Sequence, residues 1–309
     1  MANPITTGTT YAGQFAGKYI SAALLSAPTI ENGGVTVLPN VKHKEVLQNI
    51  ATTSLLADAT CDFDASTQTV TLTEKILTVK DLMVNLQLCR SNFHNTWQSI
   101  EMGASAFSDI PKSFEDYLLG YTAAKVAAAM ETNIWAGVAG AGSFDGFEVL
   151  ATAQVPPAQK VASAPVTAAL VIGQIGSVVD LIPTSVYGNE DLKLYVSSNV
   201  ARAYVRALGG FAVAATSNAG TNNEGTQWYT NGQLSFDGIP MFVANGMSDD
   251  RILAAQTSNL YFGVSLLSDV QEARVIDVSQ YDGSDNVRVI MRMSAGVQIG
   301  VGADCAYFG

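Results

Sequence analysis

The sequence predicts an α+β fold, and three observations carry that prediction. Residues 60–89 and 264–309 are dense in Val, Ile, Leu and Thr and alternate apolar with polar side chains, the period of a β-strand. Residues 112–136 carry an apolar stripe at helical spacing. Residues 166–263 interleave helical and strand-like stretches and read as a second α+β lobe.

Each element follows in chain order. Residues 1–40 are rich in Thr, Gly, Ala, Asn and Pro with weak periodicity, so an extended N-terminal arm is expected over residues 1–45. Val46, Leu47 and Ile50 suggest a short helix after Lys42-His43-Lys44-Glu45. The 60–89 stretch predicts a long two-stranded hairpin, its second half marked by the alternation of Leu82, Val84, Leu86 and Leu88. Its turn falls at Glu74-Lys75 or at residues 64–67.

Pro111 stops the preceding segment, and Ser113 with Asp116 forms an approximate capping box. Phe114, Tyr117, Leu118 and Tyr121 then open a helix, with Ala124, Ala128 and Trp135 extending its stripe to Gly137. Such a helix is roughly 35 Å long. A Gly-, Ala- and Pro-rich connection covers 138–165.

In the second lobe a helix is expected from Thr167 to Ile182, with Val171, Ile175, Val178, Val179 and Ile182 on one face and Pro183 as its stop. The run LKLYVSS reads as a strand, and Ser198 is placed to cap the helix NVARAYVRAL. Residues 209–230 form a long polar loop with Gly209, Gly210, Gly220, Gly225, Asn218, Asn222 and Asn223. The strand FDGIPMFV, the runs DDRILAA and SNLYFG, and a closing hairpin follow. That hairpin joins EARVIDV to NVRVIMRM through Asp282-Gly283. Val287, Val289, Met291 and Met293 alternate with Arg288, Ile290 and Arg292, so one face buries and the other can reach a neighbour.

Composition narrows the class. Charged residues make up only 14% of the 309 residues, against about 25% in ordinary soluble domains. Hydrophobic residues are 48% and mean hydropathy is +0.21. So much apolar surface needs a membrane or another subunit. The most apolar stretch, Ala164–Ile182, is broken by Gln174, Ser177 and Asp180 and flanked by Pro165 and Pro183. A spanning helix wants about 20 apolar residues. No charged segment precedes an apolar run at the start, so no signal peptide is expected. Burial between subunits is the better account. Net charge is −11 and the sixteen Lys and Arg are scattered, which argues against sequence-specific nucleic-acid binding.

No catalytic chemistry is legible. His43 and His94 are isolated, and no phosphate loop, nucleophile elbow, zinc or dinucleotide pattern occurs. Cys61, Cys89 and Cys305 are far apart and read as buried free thiols. The acidic pairs Asp249-Asp250 and Asp282/Asp285 read as solvated turns before they read as cation sites. No catalytic residue, cofactor or metal is expected.

What remains specific is the order of elements over residues 45–309. FDGIPMFV, DDRILAA, SNLYFG and the long closing hairpin closely resemble the C-terminal half of tailed-bacteriophage major capsid proteins, which share the Hong Kong 97 capsid fold. LTVKDLMVNLQLCRSNFHNTW resembles the extended-loop continuation in several of them, and DLKLYVS followed by ARAYVRAL resembles their axial domain. The resemblance implies an N-terminal arm (1–45) and an extended hairpin loop (60–89) that reaches over an adjacent subunit. It further implies a peripheral domain (46–59, 90–165 and 264–309) with its spine helix at 112–136, and an axial domain (166–263).

It implies a shell of pentamers and hexamers that encloses double-stranded DNA, with the 209–230 loop at the centre of each capsomer. Lys75, Leu82, Val84, Leu86, Gly209, Gly210, Asn222, Asn223, Arg288 and Arg292 are the candidate inter-subunit residues. The chain has no long charged helical N-terminal segment, and only Lys75 and Lys80 sit in the hairpin. A separate scaffolding protein and a shell without covalent cross-links are therefore expected, besides a portal and possible decoration proteins. An encapsulin-like nanocompartment and an enzyme without a recognisable motif are the alternatives.

Overall fold

The computed structural model describes residues 28–52, 61, 70–89, 112–208, 234–265, 273–278, 283 and 286–309. The molecule is α+β, as expected, and its layers are organised by two sheets.

The first sheet has five strands: β1 (Thr36–Leu38), β4 (Lys80–Cys89), β10 (Leu260–Val264), β11 (Ala273–Asp277) and β12 (Asn286–Ile299). The long β12 organises it, taking β4 antiparallel along one edge and β11 and then β10 along the other. Val287, Val289, Met291 and Met293 are buried, while Arg288 and Arg292 are exposed, as the alternation predicts. The second sheet has six strands in the order β5 (Lys160–Val161), β13 (Ala306–Phe308), β9 (Ile252–Gln256), β6 (Leu192–Val196), β8 (Ile239–Val243) and β7 (Ser235–Phe236).

The four longer helices of the described residues are α1 (Lys112–Ala136), α2 (Phe147–Gln154), α3 (Val171–Val179) and α4 (Ser198–Leu208). None is long and apolar enough to cross a membrane.

The six-stranded sheet separates two cores. On β6, Leu192, Leu194 and Val196 join one core while Tyr195 joins the other; on β9, Ile252 and Ala254 alternate in the same way with Leu253 and Ala255. α3 and α4 cover the first face; α3 is shorter than the expected 167–182, but Val171, Ile175, Val178 and Val179 on it and Ile182 beyond its end are all buried there. The opposite face meets Trp135, Phe147 and the buried side of the five-stranded sheet. Trp135 stacks between Phe147 and Tyr195, with ring centroids 5.3 and 5.2 Å away.

α1 ends where the sequence places it, but its buried stripe is rotated. Ala123, Ala127, Met130, Ile134 and Trp135 are buried, whereas Ala124 and Ala128 are exposed. The side chains of Phe114, Tyr117, Leu118 and Tyr121 lie outside the described residues.

Several expectations change. Residues 44–52 form a strand, β2 (Lys44–Thr52), not a helix. Val46 and Ile50 sit at i and i+4, but they also share one face of a period-two pattern, and a partner strand decided between the two. That partner is β3 (Val70–Thr78), antiparallel to β2 along its whole length. The predicted 60–89 hairpin is therefore not the pairing observed. β3 and β4 are separated only by Val79; β3 pairs back to β2, and β4 crosses to β12.

Within the stretch expected as an arm (1–45), Thr29, Val35 and Val41 are buried in the subunit. Thr29 donates from its backbone N (3.3 Å) and Oγ1 (2.5 Å) to the buried Glu131 carboxylate, and Trp135 Nε1 donates to Thr29 Oγ1 at 2.7 Å. Residues 1–27 lie outside the described residues.

FDGIPMFV is a tight hairpin rather than one strand, turning at Asp237 and Gly238 with φ of 50° and 80°. Ser198 is already helical, and Ser197 supplies the carbonyl that accepts the Ala201 N–H. The lobe boundary at 263/264 does not follow the sheets: β10 belongs to the five-stranded sheet, and β13 to the six-stranded one.

Candidate assembly surfaces

The β2–β3 ribbon has two unlike faces. Partners across an antiparallel pair share a face, and the register sets Val46 opposite Ile76, Ile50 opposite Leu72 and Thr52 opposite Val70. These five apolar side chains are all exposed; Ile50 and Leu72 reach 65% and 68%. Glu74 lies among them on the same face.

The other face turns inward only at the ribbon's base. There Leu77, Val41 and Val79 are buried with Leu38, Leu47 and Tyr261 packed around them. Gly263 and Gly296 are register partners on β10 and β12. A Cβ at Gly263 would lie 2.4 Å from Leu77 Cδ2, and one at Gly296 would lie 2.4 Å from the Thr78 carbonyl oxygen. The paired glycines form a saddle over which the base of the ribbon crosses the sheet. It is not legible in the sequence, where each glycine alone reads only as a weak point in a strand.

Lys75 is half-buried on the inward face opposite Leu47. Leu82, Val84 and Leu86 stand opposite Met293, Met291 and Val289 and pack on the main core, so they serve the subunit's own interior. Arg288 and Arg292 project from the other side of that sheet, near the exposed Met83; Arg288 Nε donates to Gln87 Oε1 at 2.9 Å. Lys80 is engaged within the subunit, its Nζ donating to the carbonyls of Gly140 and Ser143. Gly209, Gly210, Asn222 and Asn223 lie outside the described residues.

The residues considered for chemistry fall apart in space. His43 is exposed, and His94 lies outside the described residues. Cys305 is buried beside Asn259, and desolvation pushes its thiol up to about 12, which keeps it protonated and inert. Cys61 is exposed, contrary to the buried reading, and the Cys89 side chain lies outside the described residues. Asp250 adopts φ 59°, and its Oδ1 accepts from Val166 N and Asn199 Nδ2, so it shapes a loop. The pair Asp282/Asp285 lies outside the described residues. Among the described residues no group of three or more His, Cys, Asp or Glu converges as a metal site.

The whole arrangement recurs in solved phage capsids. The capsid of the native GTA particle matches with TM-score 0.58 over 100% of this chain and 94% of that one, at 14% identity. The procapsid of satellite phage P4, which includes its size determination (Sid) protein, matches with TM-score 0.57 over 98% and 93%, at 11% identity. Mycobacterium phage Bobi matches with TM-score 0.54 over 100% and 93%, at 13% identity. No protein-family model and no curated protein matches the chain in sequence. The fold is thus the phage capsid fold of the Hong Kong 97 type.

Proposed function

We propose that this chain is the major capsid protein of a tailed double-stranded DNA bacteriophage, self-assembling into pentamers and hexamers of an icosahedral shell. The observation that carries the reading is the ribbon, whose exposed face holds Val46, Ile50, Val70, Leu72 and Ile76. A two-stranded ribbon is marginal by itself in water, and apolar surface of this kind marks a contact with another protein. Arg288 and Arg292 beside Met83 and Ile290 offer a matching apolar and basic surface for a face that carries Glu74. The shared fold and the low charge fraction support the same reading.

In this reading the ribbon is the extended loop, α1 the spine helix of the peripheral domain, and the lobe bearing α3 and α4 the axial domain. The 209–230 loop meets its copies at the capsomer centre. The shell sits in the virion and assembles in the host cytoplasm around a separate scaffold, as the Sid protein accompanies the P4 procapsid. A portal and decoration proteins are further partners, and the protein acts as a structural subunit rather than an enzyme.

Electron microscopy of the expressed chain, with its scaffold if required, tests the proposal. Hollow closed particles are expected, and after boiling they should run as a single band near 32.4 kDa. A monomer under every assembly condition overturns it.

A further inference from the structure

The apolar stripe that the sequence sets on α1 is only partly used by the subunit's core. Ala127 and Met130 are buried, while Ala124 and Ala128 stay exposed on the outer side of the helix. Beside them, between α1 and the turn that follows β8, runs a groove of about 430 Å³. Ala124, Ala127 and Ala128 give it a floor of methyl groups, and Thr132 and Asn245 add polar groups to its lining. Glu131 lines it too, and the same carboxylate accepts the hydrogen bonds from the Thr29 backbone N and hydroxyl.

Thr29 belongs to the single helical turn Pro28–Glu31, so the chain enters the subunit beside this groove. The stretch just before Pro28, residues 19–27, reads YISAALLSA and holds no charge, so it gives up little on leaving water. A proline pushes the residue before it into the extended region. Three extended residues at about 3.3 Å each carry the chain about 10 Å from Pro28 to Leu25. Along α1, at about 1.5 Å per residue, Ala124 is also about 10 Å from Glu131. Side chains of an extended run alternate, which puts Leu25 and Ala27 on one face. The other direction along α1 is closed, because Ile134 and Trp135 are packed in the main core.

We propose that residues 24–27 lie extended in the α1 groove of their own chain. Leu25 and Ala27 cover the alanine floor, and Thr132 and Asn245 bond the backbone groups that have no strand beside them. A segment tethered at the edge of its groove is present there at an effective concentration on the order of millimolar, which favours it over the same segment of a second copy. The N-terminal arm then leaves the subunit near Ala124 and not at Pro28, and residues 1–23 are what can reach a partner.

Paired cysteines test the contact in the full chain. Leu25→Cys with Ala124→Cys, in a Cys61→Ser, Cys89→Ser background, is oxidised in dilute solution. A disulfide within one chain is expected, seen as loss of both thiols at monomer mass. Leu25→Cys with Ala139→Cys, exposed beyond the far end of α1, should link about tenfold more slowly. Equal rates for the two pairs, no link at Ala124, or a ladder of linked chains each overturn the proposal. Ala128→Glu sets a second carboxylate on the groove floor at an exposed position, so the subunit's melting should not change. Amides of residues 24–27 should then exchange about tenfold faster with solvent than in wild type, and unchanged exchange there also overturns it.

Discussion

The β2–β3 ribbon and the six-stranded sheet both carry large apolar side chains along their strands, yet they stand at opposite extremes of burial. On the ribbon the large side chains of one face are in water. On the sheet Tyr195, Leu194, Ile252 and Leu253 are buried on both faces at once. Strand chemistry is therefore a poor guide to where the subunit's stability resides. The sheet and its two cores hold the isolated chain together, and the ribbon contributes little until something covers it.

The sharpest way to break this contrast is to damage the sheet's support. Trp135→Ala removes a fully buried ring between Phe147 and Tyr195 and the hydrogen bond to Thr29. It should cost about 3–5 kcal/mol in denaturant titration of the subunit. Gly296→Ala places a methyl against the Thr78 carbonyl oxygen, a backbone atom that moves only with the ribbon's base. A loss of about 1–3 kcal/mol is expected, with faster hydrogen exchange confined to residues 76–79.

Ile50→Ser with Leu72→Ser changes only exposed side chains, so subunit stability should stay within about 0.5 kcal/mol. Closed particles should nevertheless disappear from electron micrographs. A large drop in subunit stability would show that the ribbon is already packed in the free chain, and the contrast would collapse.

The smallest effect concerns pH. Burial holds the Glu148 carboxyl above its ordinary range, against the opposing pull of the Ser248 N–H at 2.6 Å and of Arg251. A carboxyl raised in the folded state contributes stability that is complete below its unfolded pKa and is lost as pH rises through the folded pKa. Wild type should therefore lose stability relative to Glu148→Gln as pH rises from about 4 to 7, read from urea midpoints. A parallel pair of pH profiles would show that Glu148 titrates as it does in the unfolded chain.

Periodicity made much of the fold legible. The bounds of α1, the buried face of α3 and the in-out alternation of β12 were all readable, because each is a local pattern enforced by a single core. Pairing was not. Alternation says which side chains turn inward but not which strand lies alongside, so the sequence suggests a local hairpin over 60–89 whereas the partner of β4 is β12, some two hundred positions away. The same gap hides the partner that sets the side of Leu82, Val84 and Leu86, which is β12. The saddle needed two glycines from different strands set side by side, and only the register supplies that.

Successive residues of β6 and β9 plug into opposite cores, so sliding the six-stranded sheet by one residue would turn every side chain on it towards the wrong core at once. Shear along the strands is blocked from both sides, and the body of the subunit behaves as a stiff tile. Curvature has to be taken up where the chain is thin, at the ribbon and the paired glycines beneath it. The radius of any container built from such tiles would be set at their rims, not by the flexing of their bodies.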